Sequence, residues 1–118
     1  TASNIATVRI EVDIITATRE TPWVPGRFAL HQNVPNPFNP TTSITFDVPA
    51  GGARVNLDVY DVRGRLVARL VDGRQSPGRK QVTWDGTDRR GQHVSSGVYF
   101  YMLQAPSFRQ TRKMVLIQ

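Results

Sequence analysis

The chain has 118 residues, no cysteine and a formal net charge of +6 at pH 7. That length can bury one core without staples, and the missing cysteines exclude a disulfide framework or a thiolate metal site. No apolar run nears the roughly 18 residues of a membrane-crossing helix, and no signal peptide opens the sequence, so an exported protein would carry this segment well inside a longer precursor.

Val8, Ile10, Val12 and Ile14 alternate with Arg9, Glu11 and Asp13. A period of two predicts a strand over residues 7–15, either the first of this domain or the last of a preceding one. Residues 16–27 hold Pro22, Pro25 and Gly26 without a sustained period and read as a connector. Phe28-Ala29-Leu30 is a short apolar patch. Residues 32–42 then pack three prolines and three asparagines into eleven positions. Proline fixes φ and extends the residue before it, and asparagine and threonine side chains fold back on nearby backbone, so this stretch predicts a stiff bend entering a sheet.

Residues 43–49 form the next expected strand, with Ile44, Phe46 and Val48 on one face. Pro49-Ala50-Gly51-Gly52 turns the chain into a strand over 54–61, with Val55, Leu57 and Val59 inward. Asp61-Val62-Arg63-Gly64 is a tight turn, and Leu66, Ala68 and Leu70 begin another strand. Residues 72–78 read as a turn region and 79–84 as a strand placing Val82 and Trp84 on one face. Asp85 to Gly91 is a polar loop. Val98-Tyr99-Phe100-Tyr101-Met102-Leu103 is apolar on both faces, the pattern of a central strand covered on both sides. The last strand runs over 108–117. Seven or eight short antiparallel strands at roughly ten-residue spacing predict an all-β, immunoglobulin-like β-sandwich, with a closed barrel as the alternative.

Charge is unevenly placed. Residues 1–53 balance to −1 and residues 54–118 to +7. Such a basic half attracts anions, yet no block of five basic residues and no aromatic-basic interleaving marks a nucleic-acid surface. His31 and His93 belong to no ligand-spaced cluster. Ser95-Ser96-Gly97 lacks the elbow pattern of a nucleophile. Asp85 and Asp88, three residues apart in a glycine loop, are the one acidic pair suited to calcium, but further acidic ligands are missing and Arg89 and Arg90 follow. Aspartate before glycine is also a common turn former. No other cofactor is expected. Among the aromatics, Trp84 points to the core and Trp23, in the connector, is the one suited to exposure and to stacking on a sugar.

Several of these stretches resemble one family. Leu30-His31-Gln32-Asn33-Val34-Pro35-Asn36-Pro37-Phe38-Asn39-Pro40-Thr41-Thr42-Ser43-Ile44-Thr45-Phe46 looks like the opening motif of the C-terminal sorting domains of type IX secretion cargo. Val59-Tyr60-Asp61-Val62-Arg63-Gly64-Arg65 is similar to its second motif. Trp84-Asp85-Gly86-Thr87-Asp88, then Gly91, then Ser96-Gly97-Val98-Tyr99-Phe100-Tyr101 is similar to its third, and Arg112-Lys113-Met114-Val115-Leu116-Ile117 to its terminal one. The core also resembles the immunoglobulin-like domain of the flagellar hook-capping protein. The resemblance implies a non-enzymatic sorting signal over residues 28–118, with an upstream strand and linker over 1–27. The implied partners are the outer-membrane translocon, a surface sortase and an upstream cargo, and the implied destination is the cell surface or medium, by way of the periplasm. It carries Asn36, Pro37, Gly64, Asp85, Gly97 and Tyr99 over as shape-holding positions. Lys113, Met114, Val115, Leu116, Ile117 and Gln118 are the expected recognised tail, offered as a free sheet edge to strand addition. A carbohydrate-binding or adhesive accessory module and a purely structural scaffold are the alternatives.

Overall fold

The computed structural model describes residues 23–118, so the strand expected over residues 7–15 lies outside the described part. Seven strands follow one another: β1 (Ala29–Leu30), β2 (Thr42–Val48), β3 (Ala53–Tyr60), β4 (Leu66–Gln75), β5 (Gly78–Trp84), β6 (Gly97–Ala105) and β7 (Phe108–Leu116). All pairings are antiparallel. One sheet has the order β1-β2-β5, the other β4-β3-β6-β7. The immunoglobulin-like sandwich read from the sequence is therefore the fold.

The alternation sets which face is buried. Ile44, Phe46 and Val48 of β2 meet Val55, Leu57 and Val59 of β3 across the interior, and all six are fully buried. Tyr99, Tyr101, Leu103 and Ala105 of β6, Met114 and Leu116 of β7, and Leu30, Phe38, Ala68 and Trp84 complete the core. Each such side chain contributes on the order of 1.5–3 kcal/mol by leaving water, which is what holds two sheets of this size together.

Two expectations need correction. Residues 72–78 are not a turn region: β4 continues to Gln75 and pairs with β3 as far as Ala53↔Gln75. Asp72, Gly73 and Arg74 read as punctuation, but β4 is an edge strand, where polar residues and glycine are tolerated. β6 does lie in the centre of its sheet, but it is covered on one side only. Val98, Phe100 and Met102 stand half-buried on the outer face.

Residues 32–41 make no regular strand and yet fasten both sheets. Val34 exchanges two backbone bonds with Ser43 at the start of β2, each 2.9 Å. Phe38 forms a parallel bridge to Leu116: its N–H donates to Val115 O at 2.9 Å and its carbonyl accepts from Ile117 N–H at 2.8 Å. The segment closes one open side of the sandwich.

Candidate functional site

The interior of the proline bend is built on Asn33, which is only 1% exposed. Its Nδ2 donates to Pro35 O (3.1 Å) and Thr42 Oγ1 (3.0 Å), and Thr42 Oγ1 donates to Pro35 O (2.9 Å). Asn33 N–H donates to the Tyr101 hydroxyl (2.8 Å), which in turn donates to His31 O (2.7 Å). A buried polar group without a partner costs free energy, so these residues specify one another. Burial pushes the Tyr101 phenol above its ordinary range, keeping it a neutral donor.

The sequence's motif residues meet at one end of the sandwich. Asn36 Oδ1 accepts the Val115 N–H (2.9 Å), and Gln32 Nε2 donates to Lys113 O (2.8 Å). Phe38 packs on Trp84 with ring centroids 5.7 Å apart, and Trp84 meets Tyr99 edge-on at 5.4 Å. Trp84 Nε1 donates to Thr87 O (2.9 Å), and Tyr99 OH to Ser95 O (2.7 Å). Gly86 has φ +76°, and a Cβ there would stand 3.2 Å from Pro40 O and 3.6 Å from Leu116 Cδ2. Glycine is thus required where the loop, the proline segment and the tail touch. Ser96 Oγ accepts the Gln118 N–H at 2.9 Å, and Gln118 Nε2 also donates to Val94 O.

The tail is therefore fastened rather than free. The outward backbone groups of Lys113, Val115 and Ile117 are already bonded to Gln32, Asn36 and Phe38. Strand addition at this stretch would require displacing the proline segment. What the tail does present is side chains. Met114 and Leu116 point into the core, while Lys113, Ile117 (51% exposed) and Gln118 face solvent, with Val34 (69% exposed) on the segment that runs beside them. The sequence does not announce this pairing, because it carries no marker of a contact 79 residues apart.

The remaining candidates are structural in what they touch. Pro37 follows Asn36 in the exposed part of the bend. Gly64, φ +81°, closes the turn after β3, where Asp61 Oδ1 accepts the N–H groups of Arg63 (2.9 Å) and Arg65 (3.0 Å). Those bonds, the Arg65 N–H first, hold the Asp61 carboxyl below the usual range. Gly97 opens β6 opposite Leu116. Asp85 Oδ1 accepts Thr87 N–H and its hydroxyl, at 3.2 and 2.5 Å. Asp88 Oδ1 accepts the N–H groups of Gln92 and Arg90, in that order the main reasons its carboxyl sits low. Both carboxylates thus cap their own loop, and no group of three metal-ligating side chains occurs among the described residues. An open cleft beside this loop is lined by Asp61, Arg65, Arg89, Arg90 and His93. His31 binds Asp47 instead (3.0 Å) and Ser96 is engaged with the tail, so the two are not paired as nucleophile and base. No described helix is long and apolar enough to cross a membrane.

The model of the FlgD Ig-like domain family matches residues 32–107. The chain belongs to the FlgD Ig-like domain family. Among solved structures, this FlgD-type domain is similar to part of PorZ from Porphyromonas gingivalis, described as an essential bacterial surface component of the type IX secretion system. That match has 23% identity and a TM-score of 0.55, over 75% of this chain and 11% of PorZ. It is similar to part of dimeric latent PorU from the same organism, with 21% identity, a TM-score of 0.62, and coverage of 80% of this chain and 10% of PorU. It is also similar to FlgD from P. aeruginosa, with 23% identity, a TM-score of 0.50, and coverage of 80% of this chain and 74% of that one. At such identities the likeness speaks for the fold, and the chain spans about a tenth of PorZ and PorU. No curated protein matched.

Proposed function

We propose that residues 28–118 are a C-terminal sorting domain, a non-enzymatic address that carries an attached cargo through the type IX outer-membrane translocon to the cell surface. On this reading residues 1–27 hold the linker and the end of the cargo, and a surface sortase acts after transport. The observation that supports it is the convergence of the first and third motifs on the terminal one. The proline segment, the loop after Trp84 and the start of β6 all bond to or pack against residues 113–118. A fold that devotes so many contacts to one short stretch presents its outward side chains, Lys113, Ile117 and Gln118, in one fixed arrangement, and preorganised side chains bind at lower entropic cost. The translocon reads those side chains together with the exposed ridge at Val34.

A reporter fused to residues 28–118 in a type IX-competent host tests this. The wild-type fusion reaches the cell surface, and K113A/I117A, which alters only outward positions, holds the reporter in the periplasm at unchanged stability. Export of that double variant at wild-type level would defeat the reading. The second reading, a structural scaffold, is favoured by membership in the FlgD Ig-like family and by the half-buried Phe100 and Met102 on the outer sheet face. It expects the tail variant to be harmless and substitution of Phe100 to disrupt assembly.

A further inference from the structure

Trp23 is 62% exposed, the largest aromatic surface the described chain shows to solvent. It is held, not loose. The Arg79 guanidinium lies 4.8 Å from its ring centroid. Arg79 is clamped by Asp47 through two bonds (2.8 and 3.1 Å), and Asp47, itself 5% exposed, also binds His31 at 3.0 Å. Three polar side chains on three strands or their flanks thus fix the seat of one exposed indole. Folding alone does not call for this. An indole in water forgoes the burial that makes tryptophan valuable to a core, and one exposed cation–π contact returns only about 0.5–1 kcal/mol.

The surface beside it has a definite chemistry. β2 and β5 present Ser43, Thr45, Gln81 and Thr83 on the outer face of their sheet, as the cross-strand pairs Ser43↔Thr83 and Thr45↔Gln81, with Asp47↔Arg79 next in line. Cross-strand neighbours stand about 5 Å apart. Every second residue along a strand adds about 7 Å. The face is therefore a flat grid of hydroxyl and amide groups with an aromatic plate at the Arg79 end. Flat hydroxyl-bearing rings with polarised C–H faces satisfy both parts: the C–H face rests on the indole and the hydroxyls reach the grid. A protein partner would ask for a broad apolar patch, and beyond Trp23 and Val24 this side shows no large exposed hydrophobic among β2 and β5.

We propose that the outer face of the β1-β2-β5 sheet, with Trp23 as its stacking platform, binds the pyranose rings of a neutral polysaccharide. This site lies on a different face from the tail and stands or falls separately from the sorting role. Affinity electrophoresis of the 118-residue chain through native gels containing laminarin, mannan, xylan or dextran tests it, with alginate as the anionic control. At least one neutral polymer retards the chain. The W23A variant binds it at least about tenfold more weakly, equivalent to about 1.4 kcal/mol, and W23F falls between. Because Trp84 is buried, a sugar-induced change in tryptophan fluorescence belongs to Trp23, which gives a readout in the unaltered protein. The proposal is overturned by any of three results: no retardation and no fluorescence change with any of the four polymers, W23A binding like the wild type, or binding to alginate alone that vanishes in about 1 M salt, where the screening length is only about 3 Å.

Discussion

The Tyr101 hydroxyl is one atom that joins β6 to the proline bend and the residue before it, accepting from Asn33 N–H and donating to His31 O. Tyr101→Phe leaves a buried N–H without a partner while changing no packing volume. It should lower the free energy of unfolding by about 1–3 kcal/mol in urea titrations. Asp47 makes the second test. The Arg79 hydrogen bonds, with His31 behind them, hold its carboxyl below the ordinary value against the opposing pull of burial. A depressed carboxylate stabilises the fold above the unfolded-state pKa of about 3.9, and that stabilisation is lost as pH falls through the lower folded-state value. Unfolding titrations should thus be flat through mildly acidic pH and decline below about pH 4. Asp47→Asn should cost about 1–2 kcal/mol at neutral pH and make the decline shallower.

At the scale of elements, Asn36 holds the outer edge of β7 by a single side-chain oxygen. Asn36→Ala should release the Val115 amide, speeding its hydrogen exchange by about tenfold or more, with a modest global cost of about 0.5–1.5 kcal/mol. Unchanged exchange at Val115 would mean that Gln32 and Phe38 suffice to hold the edge. The elements also show what a sequence can and cannot announce. Inward triplets such as Ile44, Phe46 and Val48 were legible, because a period of two has only one way to face a core. The extension of β4 was not, since an edge strand needs no apolar alternation. Nor was the fastening of the tail: strand patterns report which face a residue takes, and say nothing of the irregular segment that lies alongside an edge. Asn33 was hidden for the same reason, a polar residue buried by a hydrogen-bond network that no periodicity encodes. Trp23 was picked out by its place in the connector, while its clamp through Arg79 and Asp47 appeared only once β2 and β5 were paired.

For the whole molecule, the two sheets are held by one apolar interior and by one irregular strap, and the surfaces divide by chemistry. The end carrying Lys113, Ile117 and Gln118 is proposed for the translocon, the hydroxyl-lined face with Trp23 for sugar, and the half-apolar face with Phe100 stands opposite the latter across the core. A change confined to one of these should leave the others working, so export of the K113A/I117A fusion and sugar binding by W23A can be scored separately. Loss of both functions from either variant would instead point to a collapse of the shared fold.

The strap fixes when the domain can be finished. The long-range hydrogen bonds of Gln32, Asn36 and Phe38 all end on residues 113–117, about eighty positions further along. Contacts of such separation form late, after the chain between them has been gathered in. On a ribosome adding about 5–20 residues per second, the opening motif must wait several seconds, unmatched, for the last strand to emerge. Through that interval the nascent polypeptide stays open at this seam, and the two ends clasp only once the last strand is out.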